Sequence, residues 1–397
     1  LVHWPKTVKK NYVFPGLFII VLLCGYAGFK YSEATKIQAA HYERNEMELI
    51  VSKTADFSVQ LYQSGKSLEE ARFLSKLETN HIWLRPGNYF LVGEQSKGPT
   101  LLYPASITGY GSGPDDNGAL AVTIRSLKNI PPIPGEYALV PSGSFMLGDR
   151  KNPQEPHYVW LTSFYIGRFE VTNEEFRLFL NDPLGYRDPL NWTEAGRSWK
   201  NQNEIQSSAT LHPHDSDYRR FGEPDQPVTK VSWYEASAYC QWLTRKAGGG
   251  HWLFSLPSEA EWEKAARGPD SFDFGLGMTL SDQEVSLYNW QKNPASDVTV
   301  IGRARTKKEY RCNRFGLYHA SGNVVEWTLS TFLPFNRNNP YDEYQRNKQE
   351  HSGQRVARGG SWYSSSITLL YLAYRDAFDP GIRNYDLGFR VVAKPIS

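Results

Sequence analysis

The sequence predicts an α+β protein with much irregular loop, preceded by a small β-sandwich module and one N-terminal transmembrane helix. Three observations carry that prediction. An uncharged run fills residues 13–29. Over 81–125 the apolar residues fall in short strand-like runs divided by turn residues. Beyond Tyr137, short stretches of helical period are each opened by a hydroxyl residue with a glutamate three positions on, and long stretches without period separate them.

The run "VFPGLFIIVLLCGYAGF" sits at the short end of what spans a bilayer, and Lys6, Lys9 and Lys10 precede it. The positive-inside rule then places the N-terminus in the cytoplasm and the later domains outside it, in a single-pass protein of the inner membrane. A cleaved signal peptide is the competing reading, but no small-x-small cleavage site follows cleanly. A lipoprotein would need a small residue before Cys24, where Leu23 stands. Residues 1–31 are thus expected to form a cytoplasmic tip and anchor.

Residues 32–80 are expected to be a juxtamembrane helical stalk. In "SLEEARFLSKLE" (67–78), Ser67 and Glu70 spell a capping box, and Leu68, Ala71, Leu74 and Leu77 recur near helical spacing. Residues 81–134 are expected to be the small β module and a linker. "HIWLRPGNYFLV" carries a Pro-Gly turn between apolar runs, "GALAVTIRS" is a second strand-like run, and "GYGSGPDDNG" (109–118) is a loop between them. The proline-rich "LKNIPPIPGE" closes the module as a linker.

From residue 135 to 397 three capping boxes mark helices: Thr172 with Glu175, Ser232 with Glu235, and Ser258 with Glu261. The last two helices run into glycine, a usual stop. The 32 glycines and 24 prolines of the chain agree with short elements and abundant turns. A formal net charge of +2, with basic and acidic residues interleaved, gives no nucleic-acid footprint. The three cysteines, Cys24, Cys240 and Cys312, show no zinc spacing; Cys240 and Cys312 could pair, but spacing alone does not bring them together.

Read in order, seven blocks resemble the formylglycine-generating enzyme family, also called sulfatase-modifying factors. They are "LVPSGSFMLGD" (139–149), "FYIGRFEVTNEEFRLFL" (164–180), "QPVTKVSWYEASAYCQWL" (226–243), "LPSEAEWEKAARG" (256–268), "FGLYHASGNVVEW" (315–327), "RVARGGSW" (355–362) and "LGFRVV" (387–392). The resemblance covers about residues 135–397 and implies the C-type-lectin-like formylglycine-generating-enzyme fold. It also implies a chemistry. Enzymatic members oxidise a client cysteine using a copper-binding cysteine pair just after a Gly-Gly-Ser turn, because thiolates are the soft ligands Cu(I) requires. Here the turn is Gly359, Gly360 and Ser361, and the two thiol positions fall on Ser364 and Leu369. No copper is therefore expected, and the enzyme question leans to no. In some relatives the cysteine matching Cys240 is bonded to one at the position of Val391, so Cys240 is expected to be a small buried residue.

Relatives also bind calcium. The positions matching one such site are His319, Gly322, Val324 and Glu326; those matching a second begin near Asn289 and Trp290, with Asn293 and Asp297 as further oxygens. His319 stands where an oxygen ligand is usual, and Asn323 and Glu326 could instead hold a tight turn through hydrogen bonds. Sulfoxide synthases of the family add a helical bundle with histidine ligands, for which residues 32–130 offer no room. "HPHDSD" (212–217) has metal-binding residue types but no second ligand cluster, and reads as a solvated loop.

Trp233, Trp327 and Trp362 lie in family blocks and read as structural. Trp192, Trp199 and Tyr218 lie in the variable stretch 181–229, near the cleft that relatives use for a client peptide. Alongside Arg197, Arg219 and Arg220 they compose either a recognition surface or the packing of their own loop. With Ser361, Trp362, Ser364 and Arg375, the residues Trp192, Trp199, Tyr218 and Arg219 are the candidate binding set. The resulting expectation is a membrane-anchored, exported, non-catalytic protein that binds a protein partner or stabilises an envelope complex. The alternatives are a glycan or small-ligand module in a lectin-like cleft, and a sulfatase-modifying oxidase that generates formylglycine.

Overall fold

A computed structural model describes residues 40, 44–53, 57–95, 100–107, 119–124, 133, 135–149, 157–247, 249–285, 301–335, 346–347 and 353–396. The expected anchor at 13–29, the loop 109–118 and most of the linker lie outside the described residues. Among the described residues, no helix is long and apolar enough to cross a membrane.

The N-terminal module is a two-sheet sandwich, and it is larger than the sequence reading allowed. Its strands are β1 (Met47–Lys53), β2 (Phe57–Gln63), β3 (Arg72–Lys76), β4 (His81–Leu84), β5 (Gly87–Gln95), β6 (Leu101–Ile107) and β7 (Leu120–Ile124). One sheet has the order β4-β1-β7 and the other β3-β2-β5-β6. Alternation explains β1 and β2: Met47, Leu49 and Val51, then Phe57, Val59 and Leu61, face a core of their own.

The expected helical stalk over 32–80 is therefore corrected from Met47 onward. At 67–78 the capping-box letters are present but unused. The Ser67 side chain makes no cap bond, and the Glu70 carboxylate accepts from the Lys66 amide at 2.9 Å. A single 3-10 turn, Leu68–Glu70, ends at Ala71, and the chain then pairs with β2, where Phe73 meets the Tyr62 ring edge-on. Sheet pairing outweighs local helical preference here.

The C-terminal part mixes short helices with small sheets. Its strands are β8 (Tyr137–Val140), β9 (Gly143–Leu147), β10 (His157–Leu161), β11 (Phe164–Gly167), β12 (Trp252–Ser255), β13 (Val325–Thr331), β14 (Arg355–Arg358), β15 (Asp376–Phe378), β16 (Leu387–Phe389) and β17 (Val392–Pro395). They form a β9–β10 hairpin and two sheets ordered β12-β17-β11-β8 and β15-β14-β13-β16. The expected capping boxes form. Thr172 and Glu175 open the helix Asn173–Asn181, and Ser258 and Glu261 open Glu259–Arg267, which stops at Gly268 with φ +63°. Ser232 and Glu235 exchange the same pair of bonds, at 3.2 and 2.9 Å, ahead of Trp233–Ala247.

Trp233 and Trp327 are fully buried, as their places in the family blocks suggested. Each spends its indole N–H across the core, Trp233 on the Thr328 carbonyl at 2.8 Å and Trp327 on the Val231 carbonyl at 3.0 Å. Cys240 and Cys312 are both free, and Cys240 is 2% exposed with its thiol pushed up by burial.

The two parts are joined through apolar packing, with Leu139 and Tyr158 against the sandwich core and Leu102 against the C-terminal one, and through polar contacts. Ser67 bridges Gly277, and the Met278 amide donates to the Lys66 carbonyl at 2.8 Å. Ser106 and Ser271, both buried, share a hydrogen bond of 2.8 Å, and Ser271 is held at φ +58°.

Candidate functional site

The site grows from the end of β14. Gly359 and Gly360 have φ of +96° and +66°, and a Cβ on Gly360 would lie 2.7 Å from the Leu369 carbonyl oxygen. Only glycine turns the chain there without strain. Two backbone bonds tie this turn to the segment before β13: the Gly322 amide donates to the Gly359 carbonyl at 2.8 Å, and the Trp362 amide to the Asn323 carbonyl at 3.0 Å.

Behind the turn lies a buried charge cluster. Arg358 is fully buried beside Glu259 and Glu263. It pairs with Glu263, lies 3.3 Å from a Glu259 oxygen, and donates to the Leu372 and Tyr374 carbonyls at 2.7 and 2.9 Å. Arg375 closes the other side of Glu259, with one contact at 3.0 Å, and stacks over Phe332 and Phe335. Arg375 is thus committed to the interior, which corrects its placement in the candidate binding set.

Ser361 follows the turn. Its hydroxyl donates to an Asp386 carboxylate oxygen at 2.8 Å and accepts from the Tyr363 amide at 3.2 Å. The Ser364 hydroxyl, 7% exposed as a residue, accepts from the Ser361 amide at 2.9 Å. At the positions of the family's thiol pair, one side chain is a hydroxyl engaged in closing a turn, and the other, Leu369, is a hydrocarbon. Neither supplies the thiolate that a Cu(I) site needs, so the residues present do not fit copper.

Asp386 was missed by sequence reasoning, although it immediately precedes the "LGFRVV" block. Burial raises its carboxyl, and the Ser361 hydrogen bond offsets this only in part. Burial also raises Asp376; the Ala377 amide pulls it back and the Asp386 charge pushes it up again. The Asp376 carboxyl thus feels the charge of Asp386.

Aromatic rings continue from this turn across the surface. Tyr385, Phe221, Trp362 and Tyr363 make successive contacts with centroid distances of 5.4, 5.2 and 5.4 Å. Tyr363 and Tyr385 are 53% and 38% exposed, and the Lys230 ammonium sits 4.5 Å over the Tyr385 ring. Tyr218 packs into the same cluster. So Tyr218, Ser361, Trp362 and Ser364 come together, and Arg219 is exposed beside Tyr218.

Trp192 and Trp199 do not join them. The stretch 181–229 folds into short helices rather than an open loop. Trp192 is 4% exposed, donates to the Tyr186 carbonyl at 2.8 Å and meets the Tyr186 ring edge-on. Trp199 packs on Tyr234 and under Arg383. These two tryptophans hold their own segment down, which corrects their assignment to the recognition surface.

The first expected calcium position is also occupied by other bonds. Both Glu326 oxygens meet the Arg390 guanidinium, and one accepts from the Trp262 indole at 2.8 Å. His319 bonds to Thr306 at 2.8 Å and to Glu170 at 3.0 Å. Gly322 is held by Gly359, and Val324 packs with Leu211 and Phe221. A dication would have to displace a buried guanidinium to reach Glu326, so these residues do not fit calcium. The second candidate group, Asn289, Trp290, Asn293 and Asp297, lies outside the described residues. His212, His214 and Asp215 are exposed, with the Asp215 carboxylate accepting from the His212 amide at 2.7 Å. Among the described residues, no three histidine, cysteine or carboxylate side chains gather as metal ligands.

Comparison with known proteins places these features in a family. The formylglycine-generating enzyme of Streptomyces coelicolor is 27% identical over 63% of this chain and 87% of its own length. The hercynine oxygenase of Mycolicibacterium thermoresistibile is 30% identical over 59% of this chain, and the serine/threonine-protein kinase pkn1 of Chlamydia caviae is 29% identical over 65% of it. The chain spans only 50% of that oxygenase and 38% of that kinase. Among solved structures, Treponema denticola variable protein 1 aligns with a TM-score of 0.47 at 23% identity, over 65% of this chain and 95% of that one. The model of the sulfatase-modifying factor enzyme 1-like domain matches residues 129–395, and the chain belongs to that family.

Proposed function

We propose that this chain is a membrane-anchored, exported and non-catalytic member of its family that binds a protein partner, and so stabilises a complex at the membrane. One observation carries the reading: the Gly-Gly-Ser turn is kept, while Ser364 and Leu369 take the places of the thiol pair. Ser364 then serves the turn itself through the Ser361 amide. Without two soft ligands the oxidation of a client cysteine has no metal to run through.

What remains at the turn suits recognition. Exposed Tyr363 and Tyr385 end a series of rings that runs through Phe221 and half-buried Trp362. Lys230 sits over Tyr385, Arg219 is exposed beside Tyr218, and the half-buried Asp386 accepts from Ser361. Aromatic and arginine residues with a polar rim are the usual composition of an interface core. The uncharged run 13–29 would hold the surface close to the bilayer.

The test is site-specific photo-cross-linking from Tyr363 in native membranes, followed by mass spectrometry after mild-detergent extraction. A single adduct of fixed stoichiometry, weakened by Tyr385→Ser, is expected. A lone monomer with no adduct would overturn the reading.

A further inference from the structure

A cavity of about 230 Å³ lies between the helices Asn173–Asn181 and Trp233–Ala247 and the strands β8 and β11. It shares no lining residue with the Ser361 surface. Its walls are apolar, formed by Phe169, Trp242, Leu243 and Phe254, and Leu178, which is 61% exposed, stands at its mouth.

Two phenols supply the polar end. Tyr239 is 4% exposed, and among the described residues nothing hydrogen-bonds to its hydroxyl or to that of Tyr137. Both hydroxyls open into the cavity, where they are free to donate to a ligand. Burial raises both phenols, and the Glu175 charge adds to this, so both stay protonated and act as donors at neutral pH. Beside them Arg303 makes two bonds to Glu175, at 2.9 and 2.8 Å, and one to the Glu170 carbonyl at 3.1 Å, while its buried Nε has no partner among the described residues. That pair is neutral overall, and its carboxylate would repel an anion.

We infer that this cavity binds a small neutral molecule with an apolar body and an oxygen acceptor at one end. Its volume suits about ten non-hydrogen atoms. The apolar body fills the aromatic walls, and the acceptor receives the two phenol hydrogens. Anions are disfavoured because the Glu175 carboxylate neutralises Arg303 and stands in the same wall.

The test uses acetophenone, ethylbenzene and benzoate with the full chain, followed by saturation-transfer NMR and by tryptophan fluorescence through Trp242. Acetophenone is expected to saturate, and to bind about five-fold tighter than ethylbenzene, which has the same shape but no acceptor. In Tyr137→Phe/Tyr239→Phe that preference should vanish while ethylbenzene binding is kept. Leu178→Trp, at an exposed position, should weaken both by narrowing the mouth. Absence of saturable acetophenone binding would overturn the inference. So would a preference that survives loss of both phenols, or benzoate binding more tightly than acetophenone.

Discussion

Replacing Arg358 by methionine tests whether the buried charge cluster holds the serine turn in place. Arg358 ends β14 directly before Gly359, with no exposed side-chain surface. It contacts two carboxylates and two backbone carbonyls. Removing one partner of a buried ion pair costs about 3–5 kcal/mol. Glu259 keeps Arg375, and Glu263 keeps Arg267 and the Gly148 amide, so the lower figure applies. The Leu372 and Tyr374 carbonyls lose their donor, at about 1 kcal/mol each. The expected loss is therefore about 5 kcal/mol. For a domain of this size that lowers the melting temperature by about 10–20 °C in scanning calorimetry. Arg311→Met removes an exposed pair with Glu69 and should cost no more than about 1 kcal/mol. Equal shifts for the two variants would refute the reasoning.

The remaining predictions address the turn, the packed segment and pH. Gly360→Ala should destabilise by about 2–4 kcal/mol, from its positive φ and the carbonyl its Cβ would meet, whereas Gly250→Ala, at φ +73° with open space around it, should cost about 1 kcal/mol in the same melts. Trp192→Ala should cost about 3–5 kcal/mol because it empties a buried site, and Arg219→Ala should leave urea stability within about 0.5 kcal/mol; the reverse order would restore the exposed-loop reading. Burial works to raise the Glu170 carboxyl, but His319 and Arg390 outweigh it and hold the group at about 2, below its ordinary 4.5. Its contribution to stability is complete above pH 4.5 and is lost as pH falls from there towards 2. Glu170→Gln should flatten unfolding free energy against pH in that window, and an unchanged slope would count against the network.

Much of the C-terminal fold was legible in the sequence because its signals are local. Each capping box needs only residues three apart, and Thr172, Ser232 and Ser258 all form the bonds their spacing implies. The Gly-Gly-Ser turn was equally readable, since two consecutive positive φ angles leave few alternatives to glycine. The stalk was misread for the opposite reason. β1 exists through Val51 pairing with Val122, and the helical letters at 67–78 give way to a bridge between Ser67 and Gly277. Such partners are remote in sequence and leave only a two-residue alternation as a trace. The same holds at the candidate site. Asp386 meets Ser361 because β16 lies beside β13, and nothing in the order of residues announces it. Composition placed aromatics in 181–229 but could not show that Trp192 turns inward while Tyr218 packs on the same cluster as Trp362.

The central claim is that the serine turn recognises a partner and carries no redox metal. Anaerobic Cu(I) titration of the full chain against a chromophoric competitor, with and without Ser364→Ala, tests it most directly. The account predicts that any copper bound through the chain's three cysteines is the same in both proteins. A stoichiometric Cu(I) site that is lost in Ser364→Ala would contradict it and return the chain to the oxidases of its family.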